Sequence, residues 1–287
     1  MSPAGDADLL VRTRTALLDA LEALAQHRHA LVVIGAQAIY LHTGGTTLAL
    51  AEATKDSDLT VDPRALDPEP LVEEAMRAAG FELDTVARQP GAWVNADGIP
   101  VDLMVPEALA GRGGRRSARV PPHDNAAMRR ARGLEATVVD HAPMHVGALA
   151  PDDPREYPVN VASPAALLVA KLHKIGERED EPRRLEPKDA HDVYRLLATL
   201  PLERFVPALV RLTEDPLAGE ATTTALDYLQ RLFAAGPEAV GSELAGRAEE
   251  LVGDPAVVSA SVAFLAQDVL AAIRSPEADR AGPAERD

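Results

Sequence analysis

Apolar and polar positions follow a helical period in some parts of the chain and a strand period in others. Over residues 8–27, Leu and Val recur at helical spacing, which predicts an amphipathic helix. Residues 30–34 are a short apolar run typical of a buried strand. Gly35-Ala36 then turns the chain into a predicted helix at residues 37–42.

The region up to about residue 160 mixes further strands with one more helix. A helix is predicted at 69–79, ended by Gly80, and an arginine-rich and glycine-containing loop with one helical turn at 110–133. The pattern at 46–54 is ambiguous. Short apolar or alternating runs bounded by turn residues predict strands at 57–61, 81–87, 92–96, 99–105, 135–140 and 143–149.

Beyond this region the pattern is helical. Ser163-Pro164 and Pro187 are typical of helix starts, and the helix from Pro187 runs to about residue 199. Further helices are predicted at 202–213, 221–234, 237–251 and 255–273. We therefore predict an α+β fold, divided into an N-terminal helix at 1–29, a mixed domain at 30–200, a helical region at 201–274 and a polar, disordered tail at 275–287.

The composition excludes several classes of protein. The 287 residues are 46% hydrophobic, enough for a substantial core, and no cysteine is available for disulfides, thiolate metal sites or a thiol nucleophile. The N-terminus has no secretory signal pattern, and no apolar run approaches the ~20 residues of a membrane span. We therefore expect a cytoplasmic protein that has no membrane partner.

The charge balance argues against one kind of partner and leaves another open. A formal net charge of −16 disfavours broad, nonspecific binding to nucleic acid. One stretch is locally basic and forms either a solvated loop or a surface for a polyanion such as tRNA. Its seven arginines are Arg112, Arg115, Arg116, Arg119, Arg129, Arg130 and Arg132.

Lysine is rare in this chain. Only four of its 29 basic residues are lysine: Lys55, Lys171, Lys174 and Lys188. Lysine is a compact, strongly hydrated point charge, whereas arginine is a rigid planar fork, so the two are not equivalent at a tight phosphate site. Lysines beside paired carboxylates indicate metal ions and a nucleotide, although a codon bias toward arginine would leave a similar pattern.

Three carboxylates are predicted to share one side of the sheet. Asp56 and Asp58 alternate with Ser57, so both point the same way in a strand. Asp102 interrupts the apolar strand predicted at 99–105, where a charge is costly unless it is paired or coordinated. Three such groups suit Mg²⁺ or Mn²⁺ in phosphoryl transfer, whereas the Asp-x-Asp pair alone is also common at strand ends.

Two further segments suit a nucleotide. Gly35-Ala36 stands between a strand and a helix, where phosphate can approach the backbone and the helix N-terminus, although an ordinary turn would look the same. Lys171, Lys174 and Arg178 are spaced i, i+3 and i+7, so one helix face carries three positive charges.

The following helix begins with Lys188-Asp189-Ala190-His191-Asp192. Asp189 and Asp192 lie at i and i+3 and so share a helix face. They have three possible roles: part of the site, ion-pair partners of the neighbouring helix, or acids favoured by the helix dipole in the first turn.

Taken in order, these motifs resemble a known family. The resemblance is to the AbiEii-type nucleotidyltransferases of the DNA polymerase beta superfamily, which include abortive-infection and mycobacterial toxin proteins, and it covers residues 30–200. The motifs that carry it are Gly35-Ala36 after a strand, Ala53-Thr54-Lys55-Asp56-Ser57-Asp58-Leu59, Val101-Asp102-Leu103, the run from Leu167 to Leu172, and Lys188-Asp189 with Asp192.

The resemblance implies a small mixed sheet flanked by helices and transfer of a nucleoside monophosphate from an NTP. Asp56 and Asp58 would hold Mg²⁺, with Asp102 as third ligand or base. Lys171 would neutralise phosphates, and Asp189 would orient Lys171 or the nucleotide. The remaining residues assigned to the nucleotide site are Gly35, Ala36, Lys55, Lys174, Lys188 and Asp192.

Two positions depart from the family pattern. Ala36 stands where a Ser or Gly is common, and Glu52 stands where an Arg is common. A tRNA 3′ end, contacted by the arginines of 112–132, is the favoured acceptor, and a protein hydroxyl or a small molecule is also possible. The chain could be the toxin of a toxin–antitoxin pair, or a weakened family member that binds a partner without catalysis.

Overall fold

The fold is built on one mixed β-sheet. The computed structural model describes residues 3–44, 56–86, 88–112, 116–250 and 253–274. Within these ranges the sheet has eight strands: β1 (Leu31–Ile34), β2 (Ser57–Val61), β3 (Glu82–Leu83), β4 (Ala92–Val94), β5 (Pro100–Pro106), β6 (Arg129–Ala131), β7 (His141–Gly147) and β8 (Glu156–Ala162).

Helices flank the sheet and form the C-terminal part, which confirms the predicted α+β class. In the described ranges they are α1 (Pro3–Ala23), α2 (Gly35–Thr43), α3 (Val72–Ala78), α4 (Pro164–Gly176), α5 (Pro187–Thr199), α6 (Leu202–Glu214), α7 (Gly219–Leu229), α8 (Val240–Arg247) and α9 (Pro255–Arg274).

The strand order brings separate parts of the chain together at the centre of the sheet. The order is β3-β4-β5-β2-β1-β8-β7, and β6 pairs with β5. Strand β2 is antiparallel to β1 and parallel to β5. Strand β1 is parallel to β8. The predicted carboxylate strands, β2 and β5, are therefore direct neighbours.

The strands differ from the prediction at two places: one strand was not predicted and one predicted strand is wrong. Strand β8 was not predicted, because Pro158 and the polar Glu156 and Asn160 interrupt its apolar positions. Residues predicted as a strand at 135–140 instead form a 3₁₀ turn, Glu135–Val138. Its Thr137 hydroxyl donates to the Leu134 carbonyl at 2.7 Å, a local bond that competes with strand pairing.

Two other segments differ from the prediction in extent. Of the predicted strand at 81–87, the structure describes residues 81–86, and among these only Glu82–Leu83 is strand. The arginine-rich stretch at 110–133, predicted as a loop, contributes β6, which pairs in parallel with the end of β5. Residues 45–55, and with them the ambiguous segment, Glu52 and Lys55, lie outside the described residues, as do Arg115 and the predicted disordered tail.

Helix α1 fixes the position of α2 through a buried arginine. It packs against β2 and β5, with Leu17 and Leu21 fully buried. Arg14 is also buried and donates from Nε to Gln37 Oε1 at 2.8 Å and from Nη1 to the Gly147 carbonyl at 2.9 Å. These bonds tie α1 to α2 and to the end of β7.

The C-terminal helices pack directly on α4 and α5. Helix α4 contacts α6 and α7, and α5 contacts α8 and α9. Buried side chains from the sheet and from these helices belong to one continuous hydrophobic core. The predicted domain division near residue 200 stays a prediction.

Helix α9 corrects one statement drawn from the sequence. By length and composition, Pro255–Arg274 is apolar enough to cross a membrane, with a mean hydropathy of 1.9 over an 18-residue window. In the fold, however, Val258, Val262, Ala266 and Val269 are buried against the neighbouring helices. One face of α9 is therefore packed against the protein, whereas Val257 and Phe264 on the helix are exposed.

Candidate nucleotide site

Asp58 and Asp102 stand side by side on neighbouring strands. The parallel register of β2 and β5 pairs them, so their side chains lie on the same face of the sheet. Asp56 directly precedes β2 and lines the same cavity. Between them Ser57 is buried and donates its hydroxyl to the Thr13 carbonyl of α1 at 3.1 Å. The structure thus brings together the three aspartates predicted from the sequence.

Gly35 lies against this group at the first residue of α2. It has φ of +66°, and a Cβ at this position would collide with Oδ2 of Asp58. Glycine is therefore required twice, by the left-handed backbone and by the close approach. Ala36, predicted together with Gly35, does not line the cavity.

The environment of the aspartates changes the pKa of one of them, Asp58. Burial, followed by the neighbouring charges of Asp56 and Asp102, raises the pKa of Asp58 to about 7. Carboxylates so disposed would be stabilised by a cation between them. Arg129 partly meets this need by donating from Nη2 to Oδ2 of Asp102 at 2.5 Å.

The donor set fits a divalent cation that also binds substrate oxygens. No group of three His, Asp or Glu side chains within the described ranges is arranged to hold a metal ion on its own. Mg²⁺ needs less than that, because it commonly binds one or two carboxylates and takes its other ligands from water and phosphate. Asp56 and Asp58 supply such a pair.

A buried ion-pair network joins α4 to α5 on the other side of the cavity. The Lys171 ammonium lies 2.9 Å from Oδ1 of Asp189 and 2.6 Å from Oδ2 of Asp192. Burial by itself would lower the pKa of Lys171, but the two carboxylates reverse the effect and hold the pKa above its usual value. Lys171 is therefore a fixed positive charge.

Asp189 is the centre of this network. It is 2% exposed and also contacts Lys174 at 3.0 Å and Arg178 at 3.6 Å. Burial would raise the pKa of Asp189, but Lys171 and Lys174 outweigh it and the pKa falls well below its usual value. Neither Asp189 nor Asp192 lines the cavity. Asp189 is thus placed to position the cations of α4.

Lys188 completes the group of cavity lysines in the described residues. Its ammonium lies 3.2 Å from Oε2 of Glu186. Burial lowers the pKa of Lys188, but Asp56 and then Glu186 together raise it by more than burial lowers it. The pKa of Lys188 is therefore above its usual value. The charge of Asp56 therefore acts on Lys188, so the carboxylates of the sheet and the lysines of the helices interact electrostatically.

The cavity between sheet and helices has a volume of about 430 Å³. Eight cationic and five acidic side chains line it, so the cavity is positive inside a chain of net charge −16. The acids are Asp56, Asp58, Asp102, Glu177 and Glu186, and the cations are Arg129, Arg130, Arg132, Lys171, Lys174, Arg178, Arg184 and Lys188. We call this space the nucleotide cavity.

The structure divides the arginines that were predicted as one surface. Arg129, Arg130 and Arg132 line the nucleotide cavity, whereas Arg112 and Arg119 are exposed outside it, as is Arg116. Arg130 is in part structural, because its Nη2 donates to the Gly111 carbonyl at 2.7 Å.

Two cavity arginines were not assigned to the site from the sequence. Arg178 had a visible signal, because it shares a helix face with Lys171. Arg184 lies in the 3₁₀ turn Pro182–Arg184 between α4 and α5. Nothing in the spacing of residues around this turn indicated that it faces the cavity.

One family of proteins matches most of the chain. A family model described as nucleotidyltransferase matches residues 12–212, more than two thirds of the chain. Among proteins with curated descriptions, none matches this chain.

Two solved structures from Helicobacter pylori align over nearly the whole chain, but their backbones superimpose poorly on it. JHP933 has 11% sequence identity, a TM-score of 0.29 and coverage of 96% of each chain. A candidate nucleotidyltransferase has 13% identity, a TM-score of 0.28 and coverage of 96% of this chain and 99% of its own. These TM-scores are too low to establish a common fold.

Proposed function

Because the chain belongs to the nucleotidyltransferase family, we propose that it moves a nucleoside monophosphate from an NTP to an acceptor hydroxyl with loss of pyrophosphate. The observation that carries this proposal is the nucleotide cavity, which joins three aspartates to a predominantly cationic lining. A triphosphate is the kind of substrate that needs both, because it is polyanionic and is commonly bound with a divalent cation.

Asp56 and Asp58 would hold Mg²⁺ or Mn²⁺. A cation held there would supply positive charge against the negative charge that develops on the phosphates during transfer. Gly35 keeps the space beside Asp58 open, since any side chain there would collide with the carboxylate. The N-terminus of α2 at the same place adds backbone N–H groups and a partial positive charge for a phosphate.

The cations of α4 and α5 would bind the phosphates. Lys171, Lys174 and Lys188 line the nucleotide cavity, and Asp189 fixes the first two without facing the cavity itself. Because these groups are held before substrate arrives, they need little reorganisation when charge moves onto the departing pyrophosphate.

Asp102 would take the proton of the attacking hydroxyl. Arg129 holds its Oδ2, and this bond fixes the carboxylate while Oδ1 can accept the proton. The hydroxyl oxygen then bonds to the α-phosphorus as the bond to the β-phosphate oxygen breaks. Both electrons of that bond leave with pyrophosphate.

The finer assignment to AbiEii-type enzymes also remains a proposal. It rests on the ordered motifs around Asp56, Asp102 and Lys171. A tRNA 3′ end is the acceptor favoured by that resemblance, and the exposed Arg112, Arg116 and Arg119 could contact its phosphates. A toxin role with a cognate antitoxin and a cytoplasmic location would follow from the same assignment.

Transfer of label from α-labelled NTPs tests the proposal. The protein is incubated with Mg²⁺ and each NTP, with total tRNA and the protein itself as acceptors. Wild type should label one acceptor, whereas Asp58→Ala should lose about a hundredfold or more of the activity, because charge stabilisation at the phosphates is lost.

A matched control is Asp152→Ala, which removes an exposed aspartate in a turn outside the nucleotide cavity. It should transfer label as wild type does. Equal activity of Asp58→Ala and Asp152→Ala would show that the site is wrongly assigned. Absence of Mg²⁺-dependent NTP binding by wild type would contradict the proposed reaction itself.

A further inference from the structure

Helix α9 is apolar on the side that faces solvent as well as on the side that faces the core. Phe264 is 63% exposed and Val257 is 59% exposed. Of the 20 residues of α9, only Asp268 and Arg274 are charged. A helix that is apolar all round is usually buried. The outward side of α9 therefore has the composition of a covered surface.

The exposed positions of α9 form a continuous stripe along the helix. They recur at alternating steps of three and four residues, which is the spacing of a seam that packs against a second helix. The polar Gln267 interrupts the stripe little, because its Nε2 donates to the Ala234 carbonyl at 2.8 Å. The stripe is about 21 Å long, given the rise of an α-helix. We call it the α9 stripe, and its members are Val257, Ala260, Phe264, Gln267 and Ala271.

The two ends of the α9 stripe carry opposite charges. Asp254 directly precedes the helix, Arg274 is its last residue, and both are exposed. Phe264 lies midway between them in the sequence. An antiparallel copy of α9 centred on Phe264 would therefore bring the Arg274 end of each chain to the Asp254 end of the other. If the two helices ran parallel, like charges would meet at both ends.

We propose that the α9 stripe binds the α9 stripe of a second copy of this chain, in an antiparallel pair related by a two-fold axis near Phe264. Two-fold dimers are the commonest closed assemblies and use the same surface on both subunits. The α9 stripe suits this use because its apolar middle meets itself and each charged end meets the opposite charge. The residues described as lining the nucleotide cavity all lie outside α9, so both cavities of the dimer stay open.

Two other occupants suit the α9 stripe less well. Helices that lie in a membrane surface are rich in Lys and Arg on their polar face, whereas α9 has one arginine, at its end. The net charge of −16 would also repel anionic lipids. The C-terminal segment 275–287 contains no Val, Leu, Ile, Met or aromatic residue that could pack on the exposed ring of Phe264.

The charges at the ends of α9 would not justify an interface by themselves. The helix dipole favours an acidic residue at the start of a helix and a basic residue at its end without any partner chain. Arg274 also donates from Nη2 to Oε1 of Gln230 at 2.9 Å within the fold. What calls for a partner is the uncharged stripe between the ends, which leaves an aromatic ring and a valine in water.

Sedimentation velocity over a range of protein concentrations tests the assembly. Wild type should have twice the mass of the chain at high concentration and should dissociate on dilution. Phe264→Glu should raise the dissociation constant about a hundredfold or more, because each dimer would bury two carboxylates without partners. Thermal unfolding of this variant at high dilution should match that of wild type, since Phe264 is exposed in the single chain. Val86→Glu is the matched control, because Val86 is 90% exposed in the turn after β3, and it should dimerise as wild type does.

Cross-linking tests the orientation of the two helices. Because the chain has no cysteine, each substitution to cysteine introduces a unique thiol. In the proposed pair Val257 of one copy lies opposite Ala271 of the other, whereas the two copies of Val257 are about 21 Å apart along the helix axis. With a bismaleimide much shorter than this distance, a mixture of Val257→Cys and Ala271→Cys should give a cross-linked dimer. Neither variant should cross-link by itself.

Several results would overturn the proposal. A wild-type chain that is monomeric at every concentration tested would show that a second copy does not cover the α9 stripe. Equal dissociation constants for Phe264→Glu and Val86→Glu would place the dimer interface elsewhere. Cross-linking of Val257→Cys to itself would contradict the antiparallel arrangement. A monomer that sediments with phosphatidylcholine vesicles, and no longer does so as Phe264→Glu, would identify a lipid surface as the occupant instead.

Discussion

The two sides of the nucleotide cavity differ in whether their charges are already balanced. On the sheet side, Asp56 and Asp58 crowd together, and the pKa of Asp58 is raised to about 7 by burial and by its acidic neighbours. On the helix side, Lys171 and Asp189 satisfy each other at 2.9 Å. On the sheet side the ionised form of Asp58 is therefore disfavoured, whereas on the helix side the charges of Lys171 and Asp189 stabilise each other before any ligand binds.

The largest expected effect is on folding. Asp189→Asn should lower the free energy of unfolding by about 3 kcal/mol, because it leaves buried Lys171 short of a partner. Asp58→Asn should keep or raise that free energy, because it removes a carboxylate whose ionisation is disfavoured in the fold. Urea unfolding at pH 8 measures both, with exposed Asp152→Asn as the control.

Opposite responses of the two variants would confirm that one side is structural and the other is reserved for a ligand. A loss of stability of the same size in both variants would contradict the distinction.

The next effect concerns Gly35. Gly35→Ala should destabilise the fold by about 1–3 kcal/mol, because alanine is strained at φ of +66° and its Cβ collides with Asp58. The double variant Gly35→Ala with Asp58→Gly should recover part of this loss, since the collision is removed. Gly98→Ala is a useful control, because Gly98 has a similar φ of +71° but open space around it. Equal losses in the two single variants would mean that strain alone matters.

The affinity for Mg²⁺ should rise with pH because Asp58 loses its proton. Because its pKa is raised to about 7, a proton competes with the metal below that pH. Mg²⁺ affinity in the presence of NTP should therefore rise about tenfold between pH 6 and pH 8, as expected for one competing proton. The same shift predicts that this group makes folding less favourable as pH rises from about 4 to 7.

Calorimetric titration with Mg²⁺ at both pH values checks the affinity, and Asp58→Asn should bind weakly at both. A pH-independent affinity in wild type would show that Asp58 is not the group that competes.

The smallest effect separates cavity cations from exposed ones. Lys188→Met should weaken NTP binding by about 1 kcal/mol, since one charged partner of the phosphates is lost. Arg119→Met should leave it unchanged, because Arg119 is exposed outside the nucleotide cavity. Fluorescence titration with a labelled NTP measures both. Similar losses would mean that net charge, rather than position, determines NTP affinity.

The sequence predicted the parts of the site that depend on local geometry. Alternation in β2 placed Asp56 and Asp58 on one side, and the apolar surroundings marked Asp102 as unusual. Helical spacing placed Lys171, Lys174 and Arg178 on one face. Each of these predictions needs only the period of a strand or a helix.

Other features depend on contacts between distant segments and carry no local signal. Gly35 was expected to admit phosphate, and the structure adds that Asp58 itself approaches too closely for any side chain. A second cavity of about 380 Å³ is lined by residues drawn from 107–228, and its Glu135 lies in a segment predicted as a strand. Strand β8 was missed because polar residues and Pro158 interrupt its apolar pattern, and its pairing with β1 is visible only in the fold.

Arg132 lines the nucleotide cavity while its guanidinium is engaged by acidic side chains. It is paired with Glu107 and lies 4.0 Å from Glu177. A triphosphate that recruited this guanidinium would compete with both glutamates for it. Part of the binding free energy would then be spent on separating ion pairs that exist before the ligand arrives.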